Sequence, residues 1–143
     1  MILHKRILLF VFTIFTFCAC MQPKNAKKEV PVENEIADKT SNLTIAQFNV
    51  LAASQTIVII DFNAVWCGPC KRLSPMLEQL KKEYGNKIKV IKIDVDENEI
   101  LSQHFQIASI PLLHFYKDGK LVNQLLGLPD KKELKMEIEN LVK

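Results

Sequence analysis

Two cysteines separated only by a glycine and a proline, Cys67-Gly68-Pro69-Cys70, are the residues of this sequence best suited to chemistry. Sulfurs at this spacing can contribute to a metal site, form a permanent staple, or open and close as a dithiol. The stretch from Cys67 onward reads as a helix, because Leu73, Met76, Leu77, Leu80 and Tyr84 form one apolar stripe. Residues three apart on a helix lie on the same side, close enough to close a small disulfide ring. Cys67 then falls at the helix N-terminus, where partial positive charge and free N–H groups favour thiolate over thiol. It is the expected attacking sulfur. Cys70, one turn further in and shielded, is the expected resolving sulfur. Pro69 suits the first turn, where its missing N–H would have had no helical partner, and it stiffens the ring.

A structural zinc site needs about four ligands. The sequence offers no second Cys-x-x-Cys and no Cys/His pair, and His104 and His114 are isolated, ordinary surface or strand residues. No metal is expected. An inert disulfide remains open, although a loop this short yields little loop-entropy stabilisation. A redox couple is the favoured reading.

The elements that must position the pair can be read from pattern. Ile57 to Phe62 (IVIIDF) is a continuous apolar, β-branched run, as in a strand buried on both faces. Asp61 interrupts it, six residues before Cys67. A buried carboxylate costs several kcal/mol unless paired or protonated. Burial therefore raises its pKa and makes it a usable proton acceptor near neutral pH, able to take the proton of Cys70 directly or through one water. A solvent-facing aspartate at the strand end is the plainer alternative. Lys92 on the next strand could balance the charge of Asp61 or simply face solvent.

Leu43–Ala53 reads as a short amphipathic helix, and the helix from Cys67 contains Pro75, which should kink it, and stops at Gly85-Asn86. Ile88–Val95 alternates as a strand, and Glu97–Phe105 is a short helix. Leu112–Tyr116 and Lys120–Leu126 are strands joined at Asp118-Gly119, a strong hairpin signal. Asp130 caps a last helix with Leu134, Ile138 and Leu141 facing inward. The order α-β-α-β-α-β-β-α gives an α/β class: a central mixed β-sheet with helices on both faces. A leading strand before Leu43 is weakly supported by ADKTSNLT. Of the four glycines, Gly68 is expected to leave space between the cysteines, Gly85 to stop a helix and Gly119 to make a turn. Gly127, just after a strand, is expected at a bulge or a close backbone approach.

The beginning of the chain reads differently. His4, Lys5 and Arg6 precede an uncharged apolar run, Ile7 to Ala19, too short to span a hydrocarbon core of about 30 Å comfortably. Residues 1–20 are read as an export signal, residues 21–42 as a polar, flexible tether, and residues 43–143 as the folded domain. Phe17-Cys18-Ala19-Cys20 resembles a bacterial lipobox with Cys20 as the lipidated residue, although Phe17 stands where leucine is usual. Plain cleavage nearby and an uncleaved anchor are the alternatives. Export favours persistent disulfides. The formal charge of +3 falls to +1 once Lys5 and Arg6 are set aside, so no nucleic-acid partner is expected.

Taken together, Asp61-Phe62, Ala64 and Trp66 to Lys71 give DFxAxWCGPCK, and with Pro75, Lys92, Ile110-Pro111, Gly119 and Gly127 the domain resembles the thioredoxin family. The resemblance implies the thioredoxin fold, with a cis peptide at Ile110-Pro111 beside the cysteines. It implies a substrate-binding rim of Trp66, Gly68, Pro69, Ile110, Pro111 and Gly127, with the proline loop pairing with substrate backbone like an added strand. Lys92 becomes the charge partner of Asp61. Asn63, Val65 and Leu112 depart from residues common in the family (aromatic, acidic and threonine, respectively), which bears on substrate choice and reduction potential. The implied activity is reduction of disulfide-containing proteins through Cys67 and Cys70, with no cofactor beyond that couple. On the periplasmic side of a bacterial membrane it requires a membrane electron donor. A monomer is expected. The rivals are a net disulfide oxidase or isomerase, and a non-catalytic binding module.

Overall fold

The computed structural model describes residues 40–143. The export signal, Cys20 and nearly all of the tether lie outside the described residues. So do residues 37–39 of the possible leading strand, and its described part, residues 40–44, forms no strand. The elements are α1 (Ile45–Ala52), β1 (Ile57–Asn63), α2 (Gly68–Tyr84), a 3-10 turn (Gly85–Lys87), β2 (Ile88–Asp94), α3 (Glu99–His104), β3 (Leu112–Lys117), β4 (Lys120–Leu126) and α4 (Lys131–Val142). The strand order is β2-β1-β3-β4, with β1 parallel to β2 and antiparallel to β3, and with β3–β4 an antiparallel hairpin. This is the mixed sheet with flanking helices that the pattern predicts.

Strand β1 lies between two neighbours, which is why its run of β-branched residues is buried almost throughout. Its side chains alternate between two cores. Val58, Ile60 and Phe62 pack with Phe48 and Leu51 of α1, Leu101 of α3 and Tyr116 of β3. Ile57 and Ile59 pack with Leu73, Leu77 and Leu80 of α2 and Leu134 and Ile138 of α4. Asp61 continues the second series, so its carboxyl is directed to the α2 side of the sheet.

The boundaries shift where side chains cap the backbone. Helix α1 starts after Thr44, whose hydroxyl accepts from the Gln47 N–H while the Gln47 side chain accepts from the Thr44 N–H, a reciprocal capping box. Leu43 is therefore outside the helix, though buried. Strand β2 ends at Asp94, whose Oδ1 accepts from the N–H groups of Asp96 and Glu97, and α3 begins only at Glu99. Helix α2 runs on through Pro75 to Gly85, which has φ +53°. The Asp118-Gly119 turn has φ of 52° and 74°, the paired positive values of a tight hairpin.

His114 is the unexpected core residue. It lies on β3, 3% exposed, against Phe62 and Phe105, and its Nδ1 has no hydrogen-bond partner. Burial lowers its pKa from the ordinary 6.5. A base with a depressed folded pKa contributes fully above the unfolded value, and that contribution is lost as pH falls through the folded one. Stability should decline below about pH 6.5 for this reason. His114→Leu is expected to remove that part of the decline, as measured by chemical unfolding between pH 5 and 8.

Candidate functional site

The site is built where β1 hands over to α2. Cys67 is the N-cap residue of α2, held in extended conformation, and its Sγ accepts from the Cys70 N–H at 3.2 Å. Cys67 and Cys70 are joined by a disulfide, with Cα atoms 5.3 Å apart. A sulfur thus occupies the position that a serine or aspartate oxygen takes at an ordinary helix start. The N–H that meets it would stabilise the same sulfur as a thiolate once the bond opens. Exposure does not separate the two cysteines, at 3% and 4%. What separates them is the helix terminus and the N–H aimed at Cys67.

Both sulfur residues pack with Ala64, and Ile110 and Val95 close over that cluster. Ile110-Pro111 is a cis peptide, and its position beside Ile110's contacts brings this loop to the disulfide. Gly127 donates its N–H to the Pro111 carbonyl at 2.8 Å, which fastens the end of β4 to the same loop. A Cβ built on Gly127 meets nothing within 4 Å, but its φ is +87°. Left-handed backbone is the requirement here; neither a bulge nor a close approach is. At Gly68 an added Cβ meets nothing within 4 Å outside its own helix backbone and chain neighbours, and its φ is not positive.

Asp61 is 1% exposed, and its Oδ1 has no hydrogen-bond partner. Burial raises its pKa from 3.8 to about 6, partly offset by the positive charge of Lys92. Lys92 is the residue opposite Asp61 in the β1–β2 register. Its ammonium, however, bonds Glu78 Oε1 of α2 at 3.2 Å, so Lys92 acts on Asp61 through space and not as a contact ion pair.

Trp66 and Val65 stand out beside Cys67, 66% and 75% exposed, whereas Leu112 is buried and Asn63 folds back to donate to the Asp61 carbonyl. The Trp66 indole Nε1 donates to Asp96 Oδ2 at 2.7 Å. Asp96 is a site residue that sequence reasoning missed, 30 residues away in the chain. The run Asp94, Asp96, Asn98 at a strand end was the available signal, since such residues cap and turn backbone. Asn98 is buried and accepts from the Leu43 N–H while donating to the carbonyls of Thr40 and Asp94. Among the described residues, no three His, Cys, Asp or Glu side chains gather as metal ligands.

A close cysteine pair at a helix N-terminus, beside a cis-proline loop, in a fold whose preceding strand carries a buried carboxyl, defines a thiol–disulfide oxidoreductase. The Thioredoxin family profile matches residues 37–140. Thioredoxin from Bacillus subtilis is 46% identical over 81 residues, 57% of this chain and 78% of that protein. The Alicyclobacillus acidocaldarius thioredoxin is 37% identical over 103 residues, 72% of this chain and 98% of that one. A mutant thioredoxin from Halobacterium salinarum superposes with a TM-score of 0.64 at 34% identity, covering 70% of this chain and 87% of the other. For Plasmodium falciparum thioredoxin the TM-score is 0.60 at 41% identity, over 67% and 92%. The chain belongs to the thioredoxin family. Members act on disulfide-bearing proteins through a redox-active disulfide without a cofactor, and Cys67–Cys70 is the corresponding pair.

Proposed function

We propose that this protein is a disulfide reductase of the bacterial cell envelope, facing the periplasm and held to a membrane through its N-terminus. In the reduced protein the Cys67 thiolate attacks a substrate disulfide. One substrate sulfur leaves as a thiolate, which takes a proton from water, and the other is bound to Cys67. Cys70 then gives its proton to Asp61 and attacks the Cys67 sulfur, which closes Cys67–Cys70 and expels the second substrate sulfur as a thiolate, to which Asp61 returns the proton directly or through water. Two electrons pass from protein to substrate. Trp66, Gly68, Pro69, Ile110, Pro111 and Gly127 form the rim against which the substrate backbone is laid.

The observation that carries this reading is the Cys70 N–H on Cys67 Sγ at 3.2 Å, which supports Cys67 as the sulfur stabilised in ionised form once the disulfide opens. The Gly-Pro dipeptide favours reduction over oxidation. Thioredoxins poise near −270 mV and the oxidant DsbA near −120 mV, values that belong to those proteins and not to this chain. Redox titration of the couple tests direction: a value near the first supports a reductase, and one near the second makes the protein an oxidase. An oxidising compartment leaves the couple spent after one turnover, so a membrane protein passing electrons outward must restore it.

Export rests on Lys5, Arg6 and the apolar run to Ala19, and the lipid anchor on Cys20. Cys20→Ser is expected to move the protein from the membrane fraction to the soluble one on cell fractionation. Continued membrane association would exclude lipidation at that residue.

A further inference from the structure

Glu78 has no place in the chemistry so far, yet it holds the lysine whose charge acts on Asp61. It lies on α2, exposed, with its carboxylate 3.2 Å from the Lys92 ammonium. Lys92 is the register partner of Asp61 on β2, so its backbone is fixed beside the carboxyl while its long stem leaves the ammonium free to settle at either end. Two carboxylates therefore compete for one cation. The exposed one holds it, and the buried one is left with an unpartnered Oδ1.

We propose that Glu78 is a positioning residue for the proton acceptor: it holds the Lys92 ammonium out at α2 and so keeps it from closing on Asp61. The proposal rests on the role of Asp61 given above. Its physical basis is that a contact ion pair would favour ionised Asp61 and weaken it as a base, whereas a withdrawn cation leaves it able to take a proton near neutral pH. The other surroundings of Asp61 are accounted for. From β3 its register neighbour is Leu113, the core on the same face receives Leu73 and Leu77 from α2 and Leu134 and Ile138 from α4, and the charge that acts on its titration is that of Lys92. His114 belongs to the opposite core, against Phe62 and Phe105.

The test is the carboxyl titration of Asp61, followed by carbon-13 NMR in the oxidised protein, so that no turnover is involved. Glu78→Gln is expected to lower the midpoint by about half a pH unit, the size set by the usual worth of an exposed ion pair. Lys92→Gln should raise it. In the Lys92→Gln background, adding Glu78→Gln should leave it unmoved, because the cation through which Glu78 acts is gone. An unmoved midpoint in the single Glu78 variant overturns the proposal. So does an equal shift in both backgrounds, which would mean that the Glu78 charge acts on Asp61 directly. Insulin reduction by the unaltered chain, measured in parallel, reports separately on the reductase reading.

Discussion

Cys67→Ser is expected to reduce insulin-disulfide reduction to background, a loss on the order of 10³-fold or more. A serine hydroxyl at the helix start still accepts the Cys70 N–H, so the fold and the cap survive. What is lost is a nucleophile that can ionise near neutral pH, and with it the first bond to the substrate. Cys70→Ala should behave differently. The first attack remains possible, but nothing displaces the captured sulfur, so a covalent adduct through Cys67 should accumulate and be visible on non-reducing gels. If both variants lost activity without any adduct, resolution by Cys70 would be excluded. If the unaltered protein were itself no faster than background, and so no faster than Cys67→Ser, the fold would be serving only as a binding module.

Asp61→Asn should have two opposed effects. The carboxyl titrates at about 6 in the folded protein against 3.8 as its ordinary value. A group whose folded pKa is raised contributes most below the unfolded value, and that contribution is lost as pH rises through the folded one. Between pH 3.8 and 6 the native state therefore gives up stability, about 3 kcal/mol in all, as it is made to hold a buried charge. The asparagine variant carries no such charge. It should be more stable than the parent above pH 6 by an amount of that order, and the difference should vanish near pH 4. Denaturant unfolding at the two pH values checks this, and a pH-independent difference would show that the charge is not the cause. Kinetically, the same substitution should slow resolution of the mixed disulfide on the order of 10²-fold and the first attack much less. Equal slowing of both steps would remove the proton-transfer role.

That trade also explains why some of the site was legible in the sequence and some was not. The cysteine pair, Pro69 and the helix start are local features, and local spacing decides them. Asp61 was legible as an anomaly, a charge inside IVIIDF, because a strand between two others has no wet face on which to put it. Lys92 could be placed on the neighbouring strand, but neither its register opposite Asp61 nor its attachment to Glu78 could. That contact joins a helix and a strand, and it depends on where a flexible stem ends. The bond from Trp66 to Asp96 is hidden for the same reason. His114 looked ordinary because a lone histidine in a strand carries no sign of which face it will occupy. Gly127 shows the limit of reading glycine by neighbourhood: its φ of +87°, not a crowded surrounding, is what the chain needs there.

Asn98 has a mechanical consequence. Its amide ties Thr40 and Leu43 to the end of β2, and the Asn42 N–H adds a bond to the Glu97 carbonyl at 2.9 Å. Traction applied through the chain ahead of Thr40 would load this clasp before it reached any strand of the sheet. Asp96, which accepts from the Trp66 indole beside the disulfide, lies between Asp94 and Asn98 of the clasp, so a pull on that part of the chain would be felt in the same short loop that steadies Trp66.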